Sequence, residues 1–426
     1  MAQIKPEMET FAKIKVVGVG GGGGNAISRM FTSKIKGVEF IAVNTDAQDL
    51  HHALAQKKLH VGKNVTRGLG AGMDPNLGRA AAEENKEDIQ EALRGADMVF
   101  VTCGLGGGTG TGVSPVVAEL AKEMGALTIG VVTKPFSFEG AQRTRLADEG
   151  YIQLRDRVDA LITIPNDRVL NVIDRNTSMF QAFDRVDDIL KQAVQGIAEL
   201  ITMPGIINVD FADVKAIMKD AGSALMGIGH ASGENRAVEA AKMAINSPLL
   251  DVSIEGAKGV LFCISGGADL SMFEINEAAR VITDAIDKDA KVIFGAIHDP
   301  RLKKGEVKIT VIATGFGAEY QATSQGQSVA STPSYISGPK GYPQPIAKAE
   351  KIDVSSNDSK IHQVFTKQQT STSPVSQNTV QSAPQVTQSS QSVSGSTKGN
   401  FFSDLGKSLE DDDEWDIPAF MRKKKK

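Results

Sequence analysis

The sequence predicts an α/β fold: a parallel sheet covered by helices, then one long helix, then a smaller α/β unit with a mixed sheet. Three observations carry this. Short β-rich runs alternate with helical stretches through the first half. Two of those runs pass straight into glycine-rich turns. Residues 178–202 repeat apolar side chains at helical spacing.

Lys13–Val19 is the first β-rich run, with the glycines 20–24 next and a helical stretch from Asn25. Val38–Asn44 is a second strand, and Asp97–Thr102 a third, followed by more glycines and a helix over Ser114–Met124. Leu127–Thr133 and Ala160–Ile164 continue the series. Strand, tight turn and helix in repetition build a parallel sheet, and such sheets bind ligands at their carboxyl edge. In Ser178–Thr202, the residues Phe180, Phe183, Val186, Leu190, Val194 and Ile197 fall on one helical side, and Pro204-Gly205 ends the run. Beyond it, Asp213–Met218, Glu234–Asn246 and Phe273–Asp287 read as helices. Lys258–Ser265, Lys291–Ile297 and Glu306–Ala313 read as strands.

Composition turns polar near Tyr320, and no charged residue lies between Gln368 and Thr397. Such a segment cannot bury enough apolar surface to order itself, so a disordered linker of about 80 residues is expected, with an r.m.s. reach of roughly 50 Å. After it comes Asp411–Arg422, which holds the only Trp, then four lysines. Apolar anchors at the end of a tether read as a docking peptide. The expected layout is therefore 11–176, 177–205 (the central helix), 206–316, a linker over 317–400 and a tail over 401–426.

Bulk properties narrow the function. The 426 residues are 41% hydrophobic and 23% charged, ordinary for a globular protein, and the formal net charge of −4 gives no basic field for nucleic acid. No window has the ~20 apolar residues of a membrane span, and the first fifteen residues lack a signal-peptide core, so a cytoplasmic location is expected. Two scattered cysteines, Cys103 and Cys263, form neither a disulfide framework nor a metal cluster and read as buried, inert thiols. The six histidines lack ligand spacing, and His51-His52 reads as a polar helix face.

Two glycine runs carry the chemistry. Gly18–Gly24, before Asn25, fits G-x-G-x-x-G between a strand and a helix, where bare amides can approach phosphate oxygens. A dinucleotide site would look much the same. Gly104–Gly112, reading GLGGGTGTG, repeats the arrangement and adds threonine hydroxyls. A nicotinamide-binding domain has no use for a second such loop, and no P-loop motif occurs. A dehydrogenase would leave this run unexplained, while a scaffold that binds nucleotide without hydrolysing it would share every feature so far.

The run GGGTGTG resembles the tubulin signature, and GGGGNA followed by Asn44-Thr45-Asp46 resembles the FtsZ family. The resemblance covers residues 11–316 and returns at the tail. It implies an N-terminal Rossmann-like GTPase domain with a parallel sheet, head-to-tail homopolymers and a ring at the midcell division site. Gly21, Gly22, Gly23, Gly24 and Asn25, with Gly107, Gly108, Thr109 and Gly110, would hold the phosphates of GTP or GDP. Gly72, in the stretch 68–75, would belong to a γ-phosphate-sensing loop, with Met73-Asp74 where the family more commonly has Ala-Asn. Glu139 and Arg143 would contact ribose and phosphate; on spacing alone they are an i, i+4 surface pair.

Asn166, Phe183 and Asp187 would hold the base. Phe183 and Asp187 are four apart and share a helix face. A carboxylate there accepts from both N1–H and the 2-amino group of guanine, whereas adenine offers neither donor. Leaving such a group unpaired costs about 1–3 kcal/mol or more, which favours GTP. The resemblance makes Asn208, Asp210 and Asp213 a catalytic loop acting on a neighbouring subunit's nucleotide. On sequence alone, Asp210 is the N-cap of a helix. Mg²⁺ would be held mainly by the nucleotide phosphates. The tail, with Asp412, Ile417, Pro418, Phe420 and Arg422 matching the family's C-terminal peptide, would bind membrane tethers and division regulators through residues 411–422.

Overall fold

The computed structural model describes residues 12–316 apart from positions 175, 204, 249, 251 and 252. The expected linker, the tail peptide and Pro204 lie outside the described residues. The chain runs β1 (Ile14–Val19), α1 (Gly20–Thr32), β2 (Val38–Asn44), α2 (Ala47–His52), β3 (Lys57–His60), α3 (Lys63–Thr66), α4 (Pro75–Glu84) and α5 (Lys86–Leu93). It continues with β4 (Met98–Gly104), α6 (Gly108–Glu123), β5 (Leu127–Lys134), α7 (Ala141–Arg155), β6 (Ala160–Pro165), α8 (Asn166–Val169) and α9 (Met179–Thr202). The last part is α10 (Phe211–Met218), β7 (Gly222–Ser232), α11 (Arg236–Ile245), β8 (Gly259–Gly266), α12 (Met272–Thr283), β9 (Lys291–His298) and β10 (Glu306–Thr314).

Among the described residues one sheet runs through ten strands in the order β3-β2-β1-β4-β5-β6-β7-β10-β8-β9. The strands β3 to β6 pair in parallel. Alternate side chains serve different cores: Val16, Met98 and Phe100 join one cluster, Val17, Val99 and Val101 the other. Burial on both faces accounts for their unbroken apolar runs. In the second half β10 is antiparallel to β7 and β8, and β8 and β9 are parallel, giving the mixed pairing. The joint is short: β7 follows β6 in parallel over Ala160↔Gly222 to Ile162↔Ala224. β7 escaped sequence reading because its Gly-Ser-Ala-Leu-Met-Gly run carries two glycines and no β-branched residue.

The long helix α9 is capped by Ser178, whose hydroxyl accepts from the Gln181 amide while Gln181 returns a bond to the Ser178 amide. Its buried stripe is Ala182, Val186, Ile189, Leu190, Ala193, Val194 and Ile197. These side chains share a core with Phe40, Ile129, Met226, Leu261 and Ile312, so both halves of the sheet pack on this helix. Each fully buried Leu, Ile or Val contributes about 1.5–3 kcal/mol. Phe180 is a correction to the expected stripe. It sits in the first turn, ahead of the core, and is 85% exposed.

Two helix starts also differ from expectation. α1 begins at Gly20 rather than Asn25, and α6 at Gly108 rather than Ser114, so each glycine run forms the helix's own first turn. Close approach explains it: a methyl group on Gly23 would lie 2.5 Å from the Thr102 carbonyl oxygen.

Candidate functional site

The two glycine turns meet at the carboxyl edge of the sheet. β1 and β4 are neighbours with Val19 opposite Cys103, so α1 and α6 start side by side. A methyl on Gly20 would stand 3.1 Å from the Gly110 amide. Gly21, Gly22 and Asn25 are exposed, while Gly23 and Gly24 are buried beneath them. Helix starts leave their first amides without intrahelical acceptors, and two adjacent starts concentrate those donors where an anion would sit.

The loop 68–74 closes a third side. Gly68, Gly70 and Gly72 all take positive φ, which non-glycine residues rarely adopt. The Gly72 carbonyl accepts from the Gly108 amide at 2.7 Å. That bond takes up the Gly108 amide, and the amides of Thr109 and Gly110, next in the first turn of α6, have no intrahelical acceptor. Thr45 escaped sequence reading, although it sits in the quoted Asn44-Thr45-Asp46. It is fully buried, and its hydroxyl meets that of Thr109 at 2.6 Å. Its carbonyl accepts from the Gly70 amide and the Thr66 hydroxyl at 3.3 and 3.2 Å. Thr45 therefore ties the first turn of α6 to the loop 68–74.

Glu139 and Arg143 do pair, at 3.2 Å, in the i, i+4 relation. Glu139 also accepts from the Phe136 amide at 2.8 Å, which fixes its turn. The Arg143 Nε is buried with no partner among the described residues. Asp167 bonds the Ser137 amide and hydroxyl, tying this turn to Asn166.

Asn166 is 5% exposed, and its Oδ1 has no hydrogen-bond partner among the described residues. A buried unsatisfied oxygen is costly, and a donor on a bound base would satisfy it. Phe183 meets Phe136 edge to face at 5.4 Å and keeps 37% of its surface exposed. Phe136, Phe138, Leu170, Ala182 and Phe183 line part of a cavity of about 480 Å³, room for a planar base. Asp187, one turn after Phe183, is mostly buried. Burial pushes its carboxyl up to about 6 while Arg29 pulls the other way. These orphaned atoms and the glycine cradle fit a purine nucleotide.

Asn208, Asp210 and Asp213 lie apart from this cluster. Asp210 occupies the N-cap position of α10, but its side chain makes no capping bond, contrary to the sequence expectation. Ile206 and Ile207 ahead of it are pinned to Ala296, and Asp210 itself is exposed to solvent. All three side chains are exposed, and Asn208 Oδ1 accepts from the Gly205 amide at 2.6 Å. Cys103 and Cys263 are buried, with thiols pushed up to about 12, and are inert as nucleophiles.

Residues 13–174 match the model of the tubulin/FtsZ family GTPase domain, and residues 222–317 that of the FtsZ family C-terminal domain. An empty FtsZ dimer from M. jannaschii is 48% identical at a TM-score of 0.70, covering 72% of this chain and 89% of that one. CetZ2 from Haloferax volcanii, in a GTPγS-bound protofilament, is 23% identical at a TM-score of 0.62, covering 74% and 96%. CetZ1 from the same organism, a GDP-bound monomer, is 23% identical at the same TM-score, covering 72% and 95%. At that identity the likeness is one of fold. The two glycine cradles, the matched domains and the identity to FtsZ agree, and the chain belongs to the FtsZ branch of the tubulin/FtsZ family of GTPases.

Proposed function

We propose that this GTPase polymerises head to tail, that its hydrolytic site is completed between two copies, and that the polymer forms the cytokinetic ring at the division site and recruits other division proteins. One observation carries the reading. The base-end residues Phe183 and Asp187 stand near the start of α9, and the acidic loop follows its end. Twenty-four residues at 1.5 Å each span about 36 Å. Thr202 at the far end lies against Gly37, just ahead of β2, at the sheet's amino edge. Asp210 and Asp213 thus stand at the opposite end of α9 from the cradle of their own chain.

The two ends are suited to meet. The acidic loop is flanked by Ile206, 60% exposed, and the bridge of Ile207 to Ala296 sets it near the end of β9. Next to β9, the strand β8 leads into Met272 and Phe273, which are 70% and 84% exposed. The nucleotide end offers Leu69, Met73 and Phe180, also exposed. Two unlike faces make a heterologous contact, which generates open filaments. The related FtsZ dimer and CetZ2 protofilament support the reading as assemblies of this fold.

Within such a contact, Asp210 and Asp213 would position a water in line with the terminal phosphate, and Asn208 would hold their turn. Their part would be to position the water, since phosphoryl transfer leaves little covalent chemistry for the protein to do. Mg²⁺, held through the phosphates, would neutralise their charge. Among the described residues no helix is long and apolar enough to cross a membrane, so attachment in the cytoplasm would fall to the tail 411–422 and an adaptor. The same reading keeps 11–176 as the GTP-binding domain, 206–316 as the activating domain, and 317–400 as the linker.

Light scattering with GTP, GDP and ATP in turn tests polymerisation, and a signal with GTP alone is expected. Asp213→Ala should abolish phosphate release and spare nucleotide affinity. Unchanged release would remove that loop from the mechanism.

A further inference from the structure

The carboxylate facing the base does not stand alone. Arg29 reaches from α1 to α9, where its Nε lies 3.4 Å from Asp187 Oδ2. A second guanidinium nitrogen bonds Asp184, and the third is 3.9 Å from Asp188. Asp188 is itself paired with Lys191 at 2.8 Å. Around Asp187, then, stand one cation, Arg29, and two further anions that share it, Asp184 and Asp188, and among the described residues no other cation pairs with Asp187. The Asp187 side chain is only 18% exposed, so water screens this pair weakly.

Protonation decides what this group can read. A carboxylate presents acceptors only and suits the two donors of guanine, N1–H and the 2-amino group. A neutral carboxyl keeps one acceptor and gains an O–H donor. That donor opposes a guanine N–H, and it matches the bare N1 acceptor of adenine. Burial favours the neutral form, and an adjacent guanidinium favours the ionised one.

We propose that Arg29 sets the base preference of this site: from α1 it holds Asp187 in place as a carboxylate, a double acceptor, while Asp184 and Asp188 anchor its guanidinium. Arg29 acts through Asp187 and is a positioning residue. The proposal rests on the guanine-nucleotide reading above.

The test is equilibrium binding of GTP and of ATP, each with Mg²⁺, to the full chain and its Arg29→Met and Arg29→Lys variants between about pH 6 and 8.5. The unaltered protein should prefer GTP, with affinity level above pH 7 and falling as Asp187 takes up a proton near pH 6. Arg29→Met should bind GTP at least about tenfold more weakly at pH 7, recover toward pH 8.5, and lose about tenfold of its GTP-over-ATP ratio. Arg29→Lys keeps the charge and should retain most of the preference. In an Asp187→Asn background, Arg29→Met should add no pH dependence. Parallel loss of GTP and ATP affinity at every pH would make Arg29 a packing residue only and overturn the proposal, as would an unchanged ratio in a folded Met variant. If the unaltered protein itself showed no preference for GTP, the nucleotide reading would fail, whatever the variants do.

Discussion

Complementation between two disabled copies asks directly whether the hydrolytic site is shared. Asp213→Ala keeps the nucleotide end and removes an acidic-loop carboxylate. A Phe183→Ala/Asp187→Ala double variant keeps the acidic loop and removes the base contacts. From Phe183 to the end of α9 at Thr202 is nineteen residues, about 28 Å at 1.5 Å each, so neither variant can repair itself. In an equimolar mixture, half the subunits carry a sound nucleotide end, and half of those meet a neighbour with a sound loop. Random stacking then restores about one quarter of the unaltered rate per subunit, less if the double variant assembles poorly. Phosphate release is followed for each variant alone and for the mixture. A site contained within one chain predicts that the mixture equals the mean of the two separate rates. That outcome, with co-assembly verified by sedimentation, would refute the reasoning.

Three further expectations concern single positions. Phe183→Ala should weaken nucleotide binding by about 1–3 kcal/mol, the usual worth of an aromatic ring against a base, read by competition with a fluorescent nucleotide. Gly23→Ala should destabilise the fold by about 1–3 kcal/mol, since its methyl meets the backbone of Thr102 and Gly18; thermal unfolding reads it, and an unaltered midpoint contradicts the tight contact. Arg236, 5% exposed, bonds Asp269 and Glu274 at 2.7 and 2.6 Å and holds both carboxyls below their usual range. Their stabilisation is therefore present above the ordinary carboxylate pKa of about 4 and lost as pH falls below it. Arg236→Ala should lower the melting temperature at pH 7, and the gap from the unaltered protein should narrow toward pH 3.

Legibility tracked how local the cause of each feature was. β2 is read residue for residue, because Val38–Asn44 is a compact apolar run with polar flanks. α9 is read to within one residue, because its stripe and its Ser178 cap are both local signals. β7 is invisible to that logic, since its glycines answer to distant helix backbone. Methyl groups on Gly227 and Gly229 would overlap the carbonyls of Ala244 and Ala240 in α11. At the site, the glycine runs and the acidic residues are legible as residue types. Thr45 and Arg29 are not, because their side-chain partners Thr109 and Asp184 lie 64 and 155 positions away. A buried threonine and a half-exposed arginine gain meaning only from what the fold sets beside them.

The shared core around α9 bears on how the two ends could influence each other. A helix packed on both sides would move as a rod, since its stripe from Val186 to Ile197 lies in one close-packed cluster. Gly196 brings the rod close to β10, where a methyl would stand 3.2 Å from Thr310 Cγ2. Near its start α9 carries Asp187 and the Arg29 contacts, and beyond its end the chain leads into the loop of Asn208 and Asp210, whose Val209 lies in the same core. A shift of α9 along its axis would therefore alter base contact and acidic-loop position together. Gly196→Ala separates this from two independently mobile ends. If α9 slides, the added methyl against Thr310 should change nucleotide affinity and phosphate release in step. A variant that altered release alone, with affinity untouched and the fold intact, would show that the two ends are not coupled through the helix.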